Sequence, residues 1–199
     1  MQVPAEVVEL LEAYFRLLAK WNVKINLTAL PLQGPTDETF DRLFVEPLVA
    51  ATAIPNTSGV WFDLGSGGGS PALPLKVVRQ ELSLTLVESK TRKAAFLREA
   101  VRSLALPATD VVNARFDELP MAIRHTANLV TARAVRPDAT LFNASAELLK
   151  PGGRLFLFGK LSTNSSHPNF ARSDMAGADE LVCRVLTSYT RAFHVEQSR

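Results

Sequence analysis

The sequence predicts an α/β fold built on a doubly wound, mostly parallel β-sheet. Three observations lead there: a glycine-rich turn directly after an apolar strand, further strands that alternate with helical segments, and acidic residues at the ends of the first two strands. Strands separated by helical segments form parallel βαβ units with right-handed crossovers. Ligands of such sheets bind beyond the carboxyl ends of the strands, at the point where the strand order reverses.

The glycine-rich turn follows the predicted strand Val60–Leu64 and precedes helix-like sequence that starts at Leu73. Four glycines occur within the five positions Gly65–Gly69, interrupted only by Ser66. Glycine has no Cβ and tolerates positive φ, so a ligand can approach the backbone N–H groups of such a turn. A flexible surface loop is the alternative, and the position directly after an apolar strand argues against it.

Two helices are predicted before the sheet. Apolar residues at steps of three and four predict a helix from Pro4 to Trp21. Thr36 or Asp37 caps a second helix that runs to about Ala53, with a kink or a division at Pro47. We therefore expect residues 1–59 to form a helical appendage, and residues 60–199 to form the ligand-binding domain.

The remaining pattern predicts the rest of the α/β domain. Further strands are expected at residues 84–88, 110–113, 128–132 and 154–158, with helices at residues 90–104 and 139–149. Lys150-Pro151-Gly152-Gly153 stops the last of these helices. Residues 160–178 are predicted to be a loop. Residues 181–186 and 192–195 are predicted to be two strands, joined through residues 187–191 as an antiparallel hairpin.

Composition excludes several classes of protein. The chain has 199 residues, 47% of them hydrophobic, and a net charge of +2. A single cysteine, Cys183, rules out an internal disulfide framework and a cysteine-rich zinc site, and we expect no metal. No apolar run approaches the roughly 20 residues that a membrane span needs, and the start shows no signal peptide. We expect a cytoplasmic protein that does not contact membranes.

Charged residues follow the later strands of the predicted sheet. Glu88 lies 23 positions after Gly65, where an acid accepts hydrogen bonds from ribose hydroxyls in nucleotide-binding folds of this type. Asp117 follows the third strand. It either accepts a hydrogen bond from an adenine amine, while the Phe116 N–H donates to a ring nitrogen of the adenine, or it caps a helix. Arg133 follows the fourth strand and either binds a carboxylate or forms a surface salt bridge.

Two cofactors fit a glycine turn with an acid after the second strand: a nicotinamide dinucleotide and S-adenosylmethionine. The dinucleotide motif requires a small residue where Ser70 stands, and that match alone is weak. An adenosyl ligand without a pyrophosphate needs contacts from the ends of strands two, three and four, where Glu88, Asp117 and Arg133 stand. The helix, Lys-Pro-Gly-Gly turn and strand that follow also resemble the late part of Rossmann-like methyltransferases. These features favour S-adenosylmethionine.

Several motifs occur in an order that resembles one family. They are Trp21-Asn22 through Asn26-Leu27-Thr28, Asp63-Leu64-Gly65-Ser66-Gly67, Val87-Glu88-Ser89 with Arg92-Lys93-Ala94-Ala95-Phe96-Leu97, Arg133-Ala134, and Lys150-Pro151-Gly152-Gly153. From about residue 17 to residue 160, the chain resembles the small-subunit ribosomal RNA guanine-N7 methyltransferases, also called the glucose-inhibited division protein B family. It departs from the family pattern at Ser70, at Ala72 and at Arg42–Leu48.

The resemblance implies a class I methyltransferase fold and a monomeric enzyme that uses S-adenosylmethionine to methylate N7 of a guanine in small-subunit (16S) ribosomal RNA. The implied cofactor contacts are Asp63, Gly65, Gly67, Ser70, Glu88, Phe116, Asp117 and Arg133. Candidates for the substrate side are Asn26, Thr28 and Arg133. Because neutral guanine N7 carries a lone pair and no proton, we expect no catalytic general base. A non-catalytic RNA-binding assembly factor, a small-molecule methyltransferase and a nicotinamide oxidoreductase remain alternatives.

Overall fold

The computed structural model describes residues 3–54, 58–159, 168, 170–172 and 186–191. Its α-helices are α1 (Ala5–Asn22), α2 (Asp37–Phe40), α3 (Glu46–Ala51), α4 (Ala72–Val78), α5 (Thr91–Ser103) and α6 (Ala139–Leu148). Its strands are β1 (Gly59–Leu64), β2 (Leu82–Val87), β3 (Thr109–Val112), β4 (Ala127–Arg133), β5 (Leu149–Phe158), β6 (Phe170–Arg172) and β7 (Leu186–Arg191). A π-helical turn (Asp41–Val45) joins α2 to α3, and two 3₁₀ turns (Phe116–Glu118, Met121–Ile123) precede β4.

The strands form one sheet in the order β3-β2-β1-β4-β5-β7-β6. The first five strands are parallel, while β7 pairs antiparallel with both β5 and β6. The predicted doubly wound sheet with an antiparallel C-terminal pair is therefore confirmed. The chain order reverses between β1 and β4, so a ligand is expected beyond the carboxyl ends of these two strands, at Leu64 and Arg133.

The C-terminal strands lie elsewhere in the sequence than predicted. Strand β7 covers residues 187–191, which were predicted to be a connection, and β6 lies inside the predicted loop. The polar residues of β7 do not show the apolar pattern of a strand, so the sequence did not predict it. In the structure Tyr189 of β7 is buried, and its ring centroid lies 5.3 Å from that of Phe142 and 6.3 Å from that of Phe170. The other parts of the predicted hairpin, residues 181–185 and 192–195, lie outside the described residues.

Strand β5 also begins earlier than predicted. Helix α6 ends at Leu148 as the Lys-Pro-Gly-Gly turn predicts, but the turn itself is part of β5. Ala127 of β4 pairs with Leu149, whereas Leu129 pairs with Arg154, so the register shifts between these two points. The residues of the turn are accommodated as an irregularity of the strand rather than as a separate loop.

Both N-terminal helical segments are found where they were predicted. The side-chain oxygen of Thr36 accepts from the N–H of Thr39, and that of Thr39 accepts from the N–H of Thr36, so a reciprocal capping box begins α2. The predicted division at Pro47 takes the form of the π-helical turn, after which Pro47 occupies the first turn of α3.

Apolar residues cover both faces of the sheet, and the N-terminal helix contributes to one of them. Tyr14 and Leu18 of α1 belong to the same buried cluster as Trp61 of β1. Phe62, the next residue of β1, belongs to the cluster on the opposite face, because successive strand side chains alternate between faces. The division into residues 1–59 and 60–199 stays a prediction. No helix among the described residues is long and apolar enough to cross a membrane.

Candidate functional site

A cavity of about 660 Å³ opens at the carboxyl edge of the sheet, beside the point where the strand order reverses. The glycine turn, the ends of β2 and β4, and the segment after α1 contribute to its lining. Seven of the predicted site residues lie in this lining: Asn26, Thr28, Gly65, Gly67, Ser70, Glu88 and Arg133. The structure therefore brings together predicted site residues from four separate parts of the sequence.

Backbone hydrogen bonds fix the shape of the glycine turn. The N–H groups of Gly65 and Ser66 donate to the carbonyl of Val87 at 2.9 and 3.1 Å. Gly69 has a φ of +88°, and a Cβ placed there would lie 2.4 Å from the side chain of Leu73. Only glycine fits this position, because it needs both the left-handed conformation and the space of the missing Cβ.

Residues 26–28 are held against the glycine turn by Asn22 at the end of α1. Its side-chain oxygen accepts from the N–H groups of Leu27 and Thr28 at 2.8 and 3.1 Å. A Cβ on Gly68 would lie 3.0 Å from the carbonyl oxygen of Leu27. Asn22, which the sequence analysis did not single out as a site residue, therefore organises this segment, while the substrate-side candidate Asn26 is exposed and lines the cavity.

Glu88 stands where the strand-end acid was predicted, and its carboxylate is oriented by the backbone. One oxygen accepts from the N–H of Lys90 at 2.7 Å, and the other accepts from the N–H of Gly67 at 2.9 Å. Each carboxylate oxygen has two lone pairs, so acceptor capacity remains for ligand hydroxyl groups. Only 5% of the Glu88 surface is exposed, and its side chain lines the cavity.

Phe116 and Asp117 line a smaller, adjoining cavity of about 110 Å³ that shares Gly65 with the main one. Both residues belong to a 3₁₀ turn, and the side chain of Asp117 does not cap it. Arg115 donates to both carboxylate oxygens of Asp117 at 3.0 and 2.8 Å. These hydrogen bonds hold the pKa of Asp117 below its usual range.

Arg133 forms a salt bridge, which was one of the two predictions made for it, but the pair is partly buried and not on the open surface. Its Nη2 lies 2.5 Å from Oε2 of Glu46, and the two side chains are 11% and 17% exposed. The guanidinium also lies over the ring of Phe158, 4.9 Å from the centroid. Burial raises the pKa of Glu46 and lowers the pKa of Arg133, although each partner opposes the shift of the other.

The π-helical turn explains why Arg133 and Ser70 reach the N-terminal helices. The N–H of Glu46 donates to the carbonyl of Asp41, and Pro47 has no N–H, so neither can donate to the carbonyl of Arg42. Nη1 of Arg133 and Oγ of Ser70 donate to this carbonyl instead, the latter at 3.3 Å. The polar group that the π-turn leaves free is thus satisfied by residues of the site.

Asp63 lies beneath the turn and does not line the cavity. It is 1% exposed, and its Oδ1 accepts from the hydroxyl of Thr131 at 2.5 Å. The same hydroxyl accepts from the indole N–H of Trp61 at 2.9 Å. Burial raises the pKa of Asp63 to about 6, and the hydrogen bonds from Thr131 and Ser66 oppose the shift. Contact between Asp63 and a cofactor stays a prediction.

Histidines and metal ligands do not contribute to the described part of the site. His125 is exposed, does not line the main cavity, and contacts Arg191 with its Nδ1 at 2.7 Å. His167 and His194 lie outside the described residues. Within the described ranges, no group of three or more His, Cys, Asp or Glu side chains is arranged to hold a metal ion.

We expect Glu46→Gln to lower the free energy of unfolding by about 2–3 kcal/mol, because it leaves the partly buried guanidinium of Arg133 without a counter-charge. Urea unfolding monitored by tryptophan fluorescence measures the change. Glu38→Gln is the matched control, since Glu38 pairs with Arg42 at 3.6 Å on the surface. The control should lower the free energy of unfolding by roughly 0.5 kcal/mol or less, and an equal loss in the two variants would contradict the prediction.

The raised pKa of Asp63 predicts a pH-dependent stability difference between the wild type and Asp63→Asn. The folded wild type binds the proton more tightly than the unfolded chain, so it loses stability as the pH rises. Relative to the variant, the loss should reach roughly 2–3 kcal/mol between about pH 4 and pH 6. Urea unfolding of both proteins across this range measures it, with the exposed Asp110→Asn as control. A difference independent of pH would refute the assignment.

The chain is similar in sequence to one family along nearly its whole length. The family model described as rRNA small subunit methyltransferase G (GidB) matches residues 7–188. The Ribosomal RNA small subunit methyltransferase G of Xanthomonas campestris pv. campestris (strain B100) is 40% identical over 146 residues, which span 71% of this chain and 64% of that relative. The protein of the same name from Paracoccus denitrificans (strain Pd 1222) is 39% identical over 149 residues, 75% of this chain and 74% of that relative.

Solved structures agree with the fold. A SAM dependent methyltransferase from Aquifex aeolicus superimposes with a TM-score of 0.56 at 14% sequence identity. The superposition covers 79% of this chain and 94% of that one. At this identity the match shows a shared Rossmann-like architecture, and it carries no information about the substrate.

Proposed function

Because the chain belongs to the rRNA small subunit methyltransferase G family, we propose that it is an S-adenosylmethionine-dependent enzyme that methylates N7 of a guanine in small-subunit (16S) ribosomal RNA. The observation that carries the proposal is the single cavity that unites the glycine turn, the oriented carboxylate of Glu88 and the substrate-side candidates Asn26 and Thr28. We further propose that the enzyme acts in the cytoplasm as a monomer.

The lining of the cavity fits S-adenosylmethionine in size and in chemistry. Its volume lies within the range of about 300–1,000 Å³ that is usual for small-molecule sites. We assign the ribose hydroxyls to Glu88, because its carboxylate is an acceptor that is already oriented by two backbone N–H groups. We assign the adenine to the adjoining cavity, where the ring of Phe116 and the carboxylate of Asp117 lie next to Gly65.

The glycine turn and Arg133 are assigned to the amino-acid part of the cofactor. A Cβ on Gly67 would have no atom nearer than 3.7 Å, so this residue borders open space in the cavity. Nε of Arg133 is buried and has no hydrogen-bond partner in the structure, while the two other nitrogens are engaged by Glu46, Ser70 and the Arg42 carbonyl. We propose that Arg133 orients the cofactor carboxylate while Glu46 holds the guanidinium in place.

Methyl transfer to N7 makes limited chemical demands on the protein. S-adenosylmethionine supplies an electrophilic methyl group on a sulfonium, and the neutral guanine N7 offers a lone pair without a proton. The residues of the site therefore need to align the base with the methyl group and exclude water, and alignment alone contributes up to roughly 7–11 kcal/mol. Asn26 and Thr28 both line the cavity, and we assign them to the side that receives the base.

We expect Glu88→Ala to weaken S-adenosylhomocysteine binding by about 1.5–3 kcal/mol, roughly tenfold or more in affinity, because hydrogen bonds to a charged acceptor are lost. Isothermal titration calorimetry measures the affinity. Glu99→Ala on α5 is the matched control and should bind as the wild type does. Unchanged affinity in Glu88→Ala would place the ribose elsewhere. Failure of the wild type to bind would favour a non-catalytic RNA-binding or assembly factor.

The proposed acceptor predicts a flat pH profile. Single-turnover transfer from labelled S-adenosylmethionine to 16S ribosomal RNA should change little between about pH 6.5 and 8.5, because N7 has no proton to lose and needs no general base. His125→Asn should leave this step nearly unchanged, whereas Arg133→Ala should slow it by about 100-fold through misplacement. A rate that rises tenfold per pH unit would indicate a protonated acceptor, such as an exocyclic amine or a small-molecule hydroxyl.

A further inference from the structure

Two segments that border the cavity are rich in cations and contain no acid. Residues 13–36 include Lys20 and Lys24 and no Asp or Glu. Residues 89–98 include Lys90, Arg92 and Lys93, again without Asp or Glu. The overall charge of +2 conceals this local excess, because acids are concentrated elsewhere in the chain.

The two segments meet in the folded chain. The ring of Trp21, at the end of α1, lies 5.9 Å from the ring of Phe96 on α5. The N–H of Lys24 donates to the carbonyl of Trp21 at 2.9 Å, so Lys24 follows directly after this contact. Asn26 from the first segment and Lys93 from the second both line the cavity. Lys93 thus borders the cavity directly, while Lys24 lies two residues before Asn26 and Arg92 lies next to Lys93.

These cations are available to a ligand. Lys20, Lys24, Lys90 and Arg92 are exposed, and within the described residues none of them forms a salt bridge. By contrast, six arginines of the described chain pair with acids at 3.6 Å or less: Arg16, Arg42, Arg79, Arg115, Arg124 and Arg133.

The acids that line the cavity do not cancel this charge. Glu38 pairs with Arg42, and Glu88 lies at the floor of the cavity with both carboxylate oxygens bound to backbone N–H groups. A cluster of unpaired cations attracts polyanions, and it binds nucleic acid by displacing counterions from phosphates.

From this arrangement we infer that the C-terminal end of α1 with residues 23–26, together with the N-terminal half of α5, forms the RNA-binding surface of the protein, on which Lys24 and Arg92 contact RNA phosphates. The inference rests on the proposed function, because it takes RNA as the molecule that delivers the base to the cavity. Phosphate contacts on this surface position the strand, and the cavity receives the base. The surface belongs to the mouth of the site and not to the cofactor contacts.

The test compares two double variants that remove the same charge. Lys24→Gln/Arg92→Gln alters the proposed surface. Arg102→Gln/Lys150→Gln is the control. Arg102 lies about 15 Å further along α5, toward the opposite edge of the sheet, where the parallel strand β5 that carries Lys150 begins. All four side chains are exposed.

Binding of unmodified, in vitro transcribed 16S ribosomal RNA is measured between about 50 and 300 mM KCl with saturating S-adenosylhomocysteine. The slope of log K against log[KCl] should fall in magnitude by about 1.5 for the surface variant, because two phosphate contacts are lost, and by less than about 0.5 for the control. At about 100 mM KCl we expect the surface variant to bind RNA roughly tenfold more weakly. Its S-adenosylhomocysteine affinity and unfolding midpoint should match the wild type.

Three results would overturn the inference: an unchanged salt slope in the surface variant, an equal loss in the control, or displacement of RNA by a polyglutamate peptide at equal charge concentration. The last would indicate an acidic protein as the partner. If the wild type binds RNA through this surface but transfers no methyl group to it, the proposed function is refuted and the inferred RNA-binding surface is supported. If the wild type methylates RNA and the surface variant binds RNA normally, only the surface is refuted.

Discussion

The partly buried ion pair between Arg133 and Glu46 is the interaction on which the candidate site depends. It joins the end of β4 to the start of α3, 87 residues apart in the chain. The same guanidinium donates to the carbonyl of Arg42 and to the hydroxyl of Ser70, so it also ties the glycine turn to the π-helical turn. Removing two charges from water is costly, and such a pair persists when further hydrogen bonds complete it, as they do here.

Backbone groups fix the acceptors and the shape of the site. The carboxylate of Glu88 is held by N–H groups on both sides, and Tyr14 donates its hydroxyl to the carbonyl of Gly68 at 2.7 Å. Tyr14 belongs to α1 and Gly68 to the glycine turn, so the N-terminal helix stabilises the turn directly. For the proposed methyl transfer to N7, which would depend on alignment and need no proton transfer, a rigid frame of this kind would be the main contribution of the protein.

Two departures from the family pattern are neighbours in space. Ser70 and the segment Arg42–Leu48 are far apart in the chain, yet the hydroxyl of Ser70 reaches the carbonyls of Arg42 and Leu43 at 3.3 and 3.4 Å. Pro47 removes a backbone donor from the helix, and Ser70 with Arg133 supplies replacements. Ala72, the third departure, is fully buried at the start of α4 and has no such partner role in the structure. The departure at position 70 thus supplies a donor to the carbonyls of the departure at positions 42–48.

The sequence alone determined those features whose physical cause is local. These features are the glycine turn, the acid after β2, the five parallel strands and the helix from residue 5 to residue 22. They follow from the backbone freedom of glycine, from the succession of strands and helices along the chain and from apolar periodicity, all of which are local properties of the sequence. Only the tertiary structure decided that Glu46 neutralises Arg133, that Asn22 holds residues 27 and 28, and that residues 187–191 form a strand. Each of these depends on partners distant in the sequence or on burial against another element, and no local pattern encodes which distant group satisfies a given charge or carbonyl.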